Sequence, residues 1–213
     1  RSRAQDRGLT LNEYGLFPLT DHEKAGGAEP LPPHKRGARP VAAADETAVY
    51  KALGLPYIPP ELRENRGELA LKTTPRLVEL DDIKAELHAH TTASDGVLSI
   101  EDLARRARQR GFHTIAVTDH SQSSAIANGL KPARLREHIK AVHAARESVK
   151  GITILAGSEV DIKADGSLDY ADDLLACLDI VVASPHASLS QDPDTATRRL
   201  LRAVEHPLVH ILG

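Results

Sequence analysis

From about residue 77 onward, short runs of apolar residues alternate with stretches whose apolar positions recur every three or four residues. The runs in IKAELHAH, HTIAVTDH, ITILAGSEVDI, DIVVASPH and LVHILG predict β-strands, and the stretches between them predict amphipathic helices. Ser99 is the expected N-cap of the first of these helices, and Asp194 or Thr195 that of the last. Repeated strand–helix units of this length predict a parallel sheet or barrel with its helices outside.

About five strands can be recognised in this pattern, which is too few to close an eight-unit barrel. The chain contains no methionine, so we do not expect Arg1 to be a natural start. Its last residues, EHPLVHILG, end within an apolar run. We therefore expect that both ends are cut; the alternative is a processed mature protein.

The first part of the chain has a different character. Residues 1 to about 47 are rich in glycine, proline, alanine and charge without periodicity, which predicts loop or disorder. The segment TAVYKALGLPYIPPELREN then predicts a short helix, a proline-rich turn and a second helical start, with Asp45 or Thr47 as the N-cap. Residues 1–76 are therefore expected to form a flexible N-terminal linker that leads into a domain over residues 77–213.

Composition narrows the possible functions. The net charge of −3 argues against DNA affinity driven by a global positive field. Arg105, Arg106, Arg108 and Arg110 are better explained as a solvated helix face than as a DNA contact. The single cysteine, Cys177, lies in an apolar, helix-like run, which fits a reducing cytoplasm and does not suggest a nucleophile. No apolar stretch is long enough to cross a bilayer, and no signal peptide is recognised.

The chemistry is concentrated where the predicted strands end. In parallel α/β folds functional groups gather beyond the carboxyl ends of the strands, and histidine and carboxylate side chains stand at four of these ends. The candidate metal ligands are His88, His90, Asp95, His120, Glu159 and His186. Each alone is more easily explained as a core, surface or loop residue. Their joint placement in successive units instead predicts a multinuclear metal site, because imidazole nitrogens and carboxylate oxygens suit zinc, manganese and iron.

Such a cluster is typical of phosphate-ester hydrolysis, in which divalent ions activate water and neutralise the charge on the phosphoryl oxygens. Glu159 can bridge two ions, and a carboxylate such as Asp119 or Asp161 can orient a histidine ligand. There is no glycine-rich phosphate loop with a lysine, which argues against nucleotide hydrolysis of the P-loop type. Five other histidines are predicted to be structural or solvated: His22, His34, His113, His138 and His143. The spacing of His138 and His143 along their helix suggests that both lie on the surface.

Four motifs in order, ELHAHTTASDG, VTDHS, AGSEVDI and VASPH, closely resemble those of the PHP (polymerase and histidinol phosphatase) domain. The resemblance spans about Val78 to Gly213 and implies an α/β fold, the distorted (β/α)7 barrel of PHP type, here truncated after about five strands. It also implies three metal ions: His88, His90 and Glu159 would hold one, Glu159 and His186 a second, and Asp95 and His120 a third. Glu159 and His90 are the predicted catalytic residues.

A second resemblance concerns the first part of the chain. GLTLNEYGLF and ETAVYKALGLPYIPPELRENRGEL are similar to the link between polymerase core and PHP domain in bacterial family X DNA polymerases. This implies that residues 1–76 hold the end of the thumb region and the linker. It also implies a manganese-dependent 3'-to-5' exonuclease or related 3'-end processing activity in DNA repair, with zinc or iron as alternative ions. The expected partner is DNA with gapped or single-stranded 3' ends, in the bacterial cytoplasm, and no partner protein is evident.

The sequence also departs from the family pattern. The family continues after ILG with further ligands, so the isolated chain is expected to bind metal weakly and to lack activity. His210 stands where relatives usually have aspartate, and neither it nor His206 is counted as a ligand. Two alternatives stay open: a stand-alone PHP phosphatase acting on a small ester such as histidinol phosphate, and a non-catalytic, metal-stabilised module that binds DNA or supports the polymerase.

Overall fold

The computed structural model describes residues 2–213, and the chain divides into two compact units. One unit ends at Leu77 and the other is Val78–Gly213. Among the described residues, no helix is long and apolar enough to span a membrane.

The first unit is built around a β-hairpin. Its helices are α1 (Ser2–Gln5), α2 (Asp21–Lys24) and α3 (Glu46–Ala52), its strands are β1 (Leu9–Asn12) and β2 (Gly15–Pro18), and single 3-10 turns lie at Pro33–Arg36, Pro60–Leu62 and Glu68–Ala70. The two strands are antiparallel, and Leu16 also bridges to Ala42. Leu16 and Phe17 are almost completely buried.

The prediction of loop or disorder over residues 1–47 is therefore wrong. Two four-residue strands lie within this segment, and the second has buried side chains. The glycine- and proline-rich sequence that follows the strands dominates the composition. A short hairpin is fixed by its turn and by the few apolar side chains that it buries, and neither is visible in an average over 47 residues. Gly15 is one such determinant, since its φ of 128° suits glycine and a Cβ there would lie 2.6 Å from the Ala42 carbonyl oxygen.

Helix α3 begins where the sequence predicts. The Asp45 side chain accepts a hydrogen bond from the Ala48 amide at 2.7 Å, so Asp45 is the N-cap. The second helical start predicted in PELREN is only the 3-10 turn over Pro60–Leu62. It is followed by Arg63, whose guanidinium pairs with Glu46 on α3 at 2.6 Å and lies over the rings of Tyr50 and Tyr57.

The second unit alternates strands and helices as predicted. After a 3-10 turn at Leu80–Asp82 its elements are β3 (Ala85–Glu86), α4 (Ile100–Gln109), β4 (Thr114–Val117), a 3-10 turn (Ala125–Ala127), α5 (Pro132–Ser148), β5 (Thr153–Asp161), α6 (Asp172–Leu175), β6 (Ile180–Ser184), α7 (Pro193–Val204) and β7 (Ile211–Leu212). The strands form one parallel sheet in the order β3-β4-β5-β6-β7. This sheet is curled into a half barrel, so the fold is α/β, as the sequence predicts.

The curl is centred on β5. Its first residues, 153–156, pair with β4, and its later residues, 157–161, pair with β6. Gly157 lies at the change of partner, where a Cβ would meet Ile180 Cγ2 at 2.6 Å and the Ile180 carbonyl oxygen at 2.9 Å. The single long strand β5 thus connects β4 to β6 in the curled sheet, and its carboxyl end lies between the carboxyl ends of β4 and β6.

The core lies between the sheet and its helices. Helix α4 buries Ile100, Ala104 and Ala107, and helix α5 buries one face from Leu135 to Ala145 against the strands. Ser99 caps α4, as predicted. The predicted cap of the last helix is wrong: Asp192, and not Asp194 or Thr195, accepts the hydrogen bond from the Thr195 amide. The reason is Pro193, which favours the first helical position and holds the residue before it in an extended conformation.

Candidate metal site

The predicted ligands all project from the carboxyl end of the sheet. Strand β3 is shorter than predicted and ends at Glu86, but the chain stays beside β4 because the Thr118 amide donates to the Ala89 carbonyl at 2.8 Å. The six side chains follow β3, follow β4, lie near the end of β5 and follow β6: His88, His90, Asp95, His120, Glu159 and His186. Parallel strands place their carboxyl ends at one edge, and the structure brings all six together there.

Glu159 lies at the centre of the cluster. Its Oε2 atom is 3.3 Å from His88 Nε2, 3.4 Å from His90 Nε2 and 3.0 Å from His120 Nδ1. Its Oε1 atom is 3.3 Å from His186 Nε2. One buried carboxylate therefore faces four imidazoles that come from three different strand ends.

The donor atoms fall into three groups of ion-binding size. The first consists of His88, His90 and Glu159, the second of His90, Asp95 and His120, and the third of His120, Glu159 and His186. Within each group the donor atoms lie within 4.8 Å of one another. Each pair of groups shares one residue, so the arrangement is a triangle of adjoining sites with His90, His120 and Glu159 between them.

The imidazoles are oriented for ligation. The Nδ1 atoms of His90 and His120 are buried, yet neither makes a hydrogen bond within the described part of the chain. A buried polar atom without a partner is costly, and both atoms lie 3.0 Å from a carboxylate oxygen, of Asp95 and Glu159 respectively. Nitrogen and oxygen donors that converge in this way fit a divalent transition-metal ion.

The electrostatics favour an ionised Glu159. Burial raises the pKa of this carboxyl group. The Ser184 hydroxyl and the imidazoles of His120 and His88 together lower the pKa by a larger amount, so the net shift is downward. The pKa of His120 is lowered chiefly by burial, which favours the neutral imidazole that ligation requires. Both residues are therefore biased toward their metal-binding forms.

Asp161 supports the third group. Its Oδ1 atom lies 2.7 Å from His186 Nδ1, which leaves Nε2 of the same ring directed at Glu159. The Ser124 hydroxyl donates to Asp161 Oδ2 at 2.7 Å. Of the two carboxylates that the sequence offered for orienting a histidine ligand, Asp161 makes such a contact.

Asp119 has a different set of partners. It is fully buried and accepts hydrogen bonds from Thr91 and Ser94, which lie just before Asp95 in the same loop. Its Oδ2 atom also lies 2.9 Å from His138 Nε2. The expectation that His138 is on the surface is therefore wrong, although a structural role fits. Leu135, His138, Ile139 and Val142 share the buried face of α5, and this helical spacing was the available signal.

The other histidines lie outside the three groups. His22, His113 and His143 are exposed, and His34 stacks against Tyr14 with ring centroids 3.9 Å apart. His206 Nε2 is 3.3 Å from Asp172, and His210 Nδ1 accepts the Val181 amide at 3.1 Å. Cys177 follows α6 and is exposed, although its run is apolar. The arginines of α4 are exposed as well, as a solvated helix face requires.

The fold is α/β and of the truncated β/α-barrel type, and the clustered donor set is of the kind that binds divalent metal ions. More specifically, the chain belongs to the PHP domain family, whose model matches residues 86–209. The model of the DNA polymerase beta thumb matches residues 1–64.

Individual proteins are similar to all or to part of this chain. The "DNA polymerase/3'-5' exonuclease PolX" of Bacillus subtilis is 37% identical over 214 aligned residues, which cover 100% of this chain and 35% of that protein. A "Probable phosphatase" of Syntrophotalea carbinolica is 31% identical over 61% of the chain, and one of Shewanella sediminis is 35% identical over 60%. The chain spans about a third of the polymerase and about half of each phosphatase.

Proposed function

We propose that this chain contributes a metal-dependent phosphoesterase site that removes nucleotides from the 3' end of DNA, within a family X DNA polymerase. The observation that carries the proposal is the convergence of four imidazoles on the two oxygens of Glu159. The match over the whole chain to a polymerase/exonuclease supports DNA as the substrate class. Residues 1–76 are the end of the thumb region with its linker, and residues 77–213 are the first part of the PHP domain.

The six convergent side chains are the proposed ligands of three divalent ions. The three donor groups each offer three ligand atoms. Manganese is the proposed ion, with zinc and iron as alternatives, since all three accept mixed imidazole and carboxylate ligands. When bound, the ions supply an activated water and positive charge at the phosphoryl oxygens.

The chain's own residues perform the positioning. The ionised Glu159 joins two donor groups and holds four imidazoles around a single point. Asp161 fixes the ring of His186, and Asp119 fixes the loop on which Asp95 stands. Burial of Glu159 and His120 keeps bulk water from competing with these contacts, so the donor geometry is formed before a substrate arrives.

DNA is the proposed partner, in the form of gapped or single-stranded 3' ends, and the bacterial cytoplasm is the proposed location. The polymerase thumb match supports the DNA assignment. The weakly negative net charge implies that this affinity comes from local contacts and not from the field of the whole chain.

A phosphatase acting on a small ester is the second candidate. It is favoured by the two relatives named as probable phosphatases, whose alignments cover about 60% of this chain. The donor cluster suits both substrates, because the same ions neutralise a phosphomonoester or a phosphodiester.

One experiment separates these functions. The chain, expressed with its natural flanking sequence, is loaded with manganese and incubated with 5'-labelled single-stranded DNA and, separately, with p-nitrophenyl phosphate. The 5' label reveals stepwise shortening from the 3' end. His88→Ala is expected to abolish shortening, whereas His113→Ala, at an exposed position at the start of β4, is the matched control and is expected to retain it.

Stepwise shortening of the DNA supports the proposal. Hydrolysis of p-nitrophenyl phosphate without any shortening of the DNA would contradict the exonuclease proposal and support the phosphatase. Bound manganese without turnover of either substrate would instead support a metal-stabilised, non-catalytic module.

A further inference from the structure

Helix α5 contains a buried histidine that the proposed chemistry does not use. His138 is 9% exposed, and its Nε2 atom makes no hydrogen bond within the described residues. The polar group that this atom faces is Asp119 Oδ2, at 2.9 Å. A histidine in an otherwise aliphatic helix face invites a specific explanation, since leucine or isoleucine would fill the same space without a polar atom to satisfy.

Asp119 connects this histidine to the loop of Asp95. Its Oδ1 atom accepts the amides of Thr91 at 2.9 Å and Ser94 at 3.1 Å, and the Ser94 hydroxyl at 2.5 Å. Its Oδ2 atom accepts the Thr91 hydroxyl at 2.7 Å. Burial raises the pKa of Asp119, and the contacts with His138, Ser94 and Thr91 lower it by a larger amount. The net shift is downward, so the carboxylate is ionised. A fully buried carboxylate thus has donors on both oxygens.

The loop held in this way carries two of the proposed ligands at its ends. His90 precedes Thr91 and Asp95 follows Ser94, and the loop turns so tightly that a Cβ at Gly96 would lie 2.3 Å from the His90 carbonyl oxygen. Asp95 Oδ1 is 3.0 Å from His90 Nδ1, and Asp95 Oδ2 is 3.4 Å from His120 Nε2. The second donor group therefore depends on the shape of this loop, because the Asp95 side chain is itself 47% exposed.

We propose that His138 is a positioning residue for the second donor group: it holds the carboxylate of Asp119, which in turn holds the Thr91–Gly96 loop and so places Asp95 against His90 and His120. Helix α5 anchors the system, since Leu135, Ile139 and Val142 fix it in the core on either side of His138. The inference rests on the proposed function only in giving the second group a metal to bind; the connection from His138 to the loop stands without it.

The matched variants are available on one helix. His138→Gln keeps a nitrogen donor of similar reach, His138→Ala removes it, and His143→Ala changes an exposed histidine of the same helix. Hydrogen exchange of the Thr91 and Ser94 amides in the metal-free chain is the first readout, because both amides donate to Asp119. Manganese binding, followed by electron paramagnetic resonance of the free ion, is the second.

His138→Ala is expected to speed exchange of these two amides about 10-fold and to weaken manganese binding about 10-fold at one class of site, as loss of a supporting contact does elsewhere. Exchange in β5 and the other classes of site stay unchanged, and His138→Gln and His143→Ala resemble the parent chain. Normal exchange of Thr91 and Ser94 in His138→Ala would overturn the inference. The inference would also be overturned if His138→Ala exchanged faster throughout the second unit and His138→Gln did the same. That result would mean that His138 is needed only for folding. If the parent chain binds no manganese, the proposed function is contradicted. The inference about His138 is then tested by hydrogen exchange alone.

Discussion

Asp161 Oδ1 lies 2.7 Å from Nδ1 of His186, and the opposite nitrogen of that ring faces Glu159 Oε1 at 3.3 Å. The carboxylate therefore fixes both the tautomer and the rotation of a proposed ligand, because a hydrogen bond from Nδ1–H leaves Nε2 with its lone pair free. The ring itself is exposed, so packing alone does not hold it.

Asp161→Ala is accordingly expected to weaken manganese binding at the third donor group by about 10- to 100-fold, the effect typical of a lost outer partner of a histidine ligand. Asp165→Ala is the control, since Asp165 is exposed and contacts Ser167 and Arg202 instead. Isothermal titration with manganese measures the effect. Equal affinity in the two variants would mean that Asp161 does not orient a ligand.

The sharing of donors between groups leads to a second prediction. His186 belongs to one group, whereas His90 belongs to two. His186→Ala is therefore expected to reduce manganese binding at a single class of site, and His90→Ala at two. His22→Ala, an exposed histidine of the first unit, is the control. Metal content by mass spectrometry after equilibrium dialysis gives the count, and the same loss in both variants would contradict the triangular arrangement.

The clustering of the candidate metal ligands could be predicted from the sequence, because a residue's place along its strand determines the edge of the sheet at which it lies. A parallel sheet aligns the carboxyl ends of its strands, so residues as distant as His88 and His186 meet once the strands are recognised. No such rule locates the residues that support the cluster. Arg199 is an arginine on an amphipathic helix, and its burial depends on backbone carbonyls that no residue type reveals.

Helix ends and short hairpins were also difficult to predict from the sequence. The cap at Asp192 depends on one proline, and the hairpin of β1 and β2 on the turn at Gly15 and two buried side chains. Composition averaged over a long segment hides such a hairpin. The burial of His138 could have been predicted, because its spacing from Leu135 and Val142 places it on the apolar face of α5.

Arg199 provides a third prediction, on stability. It is 5% exposed and donates to the carbonyls of Ile162, Lys163 and Ser188, so it ties the end of β5 to the loop after His186. Arg199→Ala leaves these carbonyls without their donor and is expected to lower the free energy of unfolding by about 2–5 kcal/mol. Arg198→Ala, at the exposed neighbouring position, is expected to have little effect. Urea denaturation followed by circular dichroism compares the two, and equal midpoints would show that the buried guanidinium is dispensable.

The cap of α7 gives a prediction on pH. Asp192 accepts the Thr195 amide at 3.0 Å, and the hydrogen bonds from Thr195 hold the pKa of its carboxyl group below the usual value. A carboxyl group with a lowered pKa in the folded state stabilises the protein fully above its unfolded pKa of about 3.9, and this contribution disappears as the pH falls through the folded value. Asp192→Ala is therefore expected to lower the Tm at pH 7 and to have a smaller effect at pH 2.5. Asp194→Ala, which removes an acidic residue from the first turn of the same helix but not the cap, is the control for the helix dipole. Thermal unfolding of the three chains across this pH range measures the difference, and a deficit of Asp192→Ala that stays constant with pH would contradict capping by the ionised carboxylate.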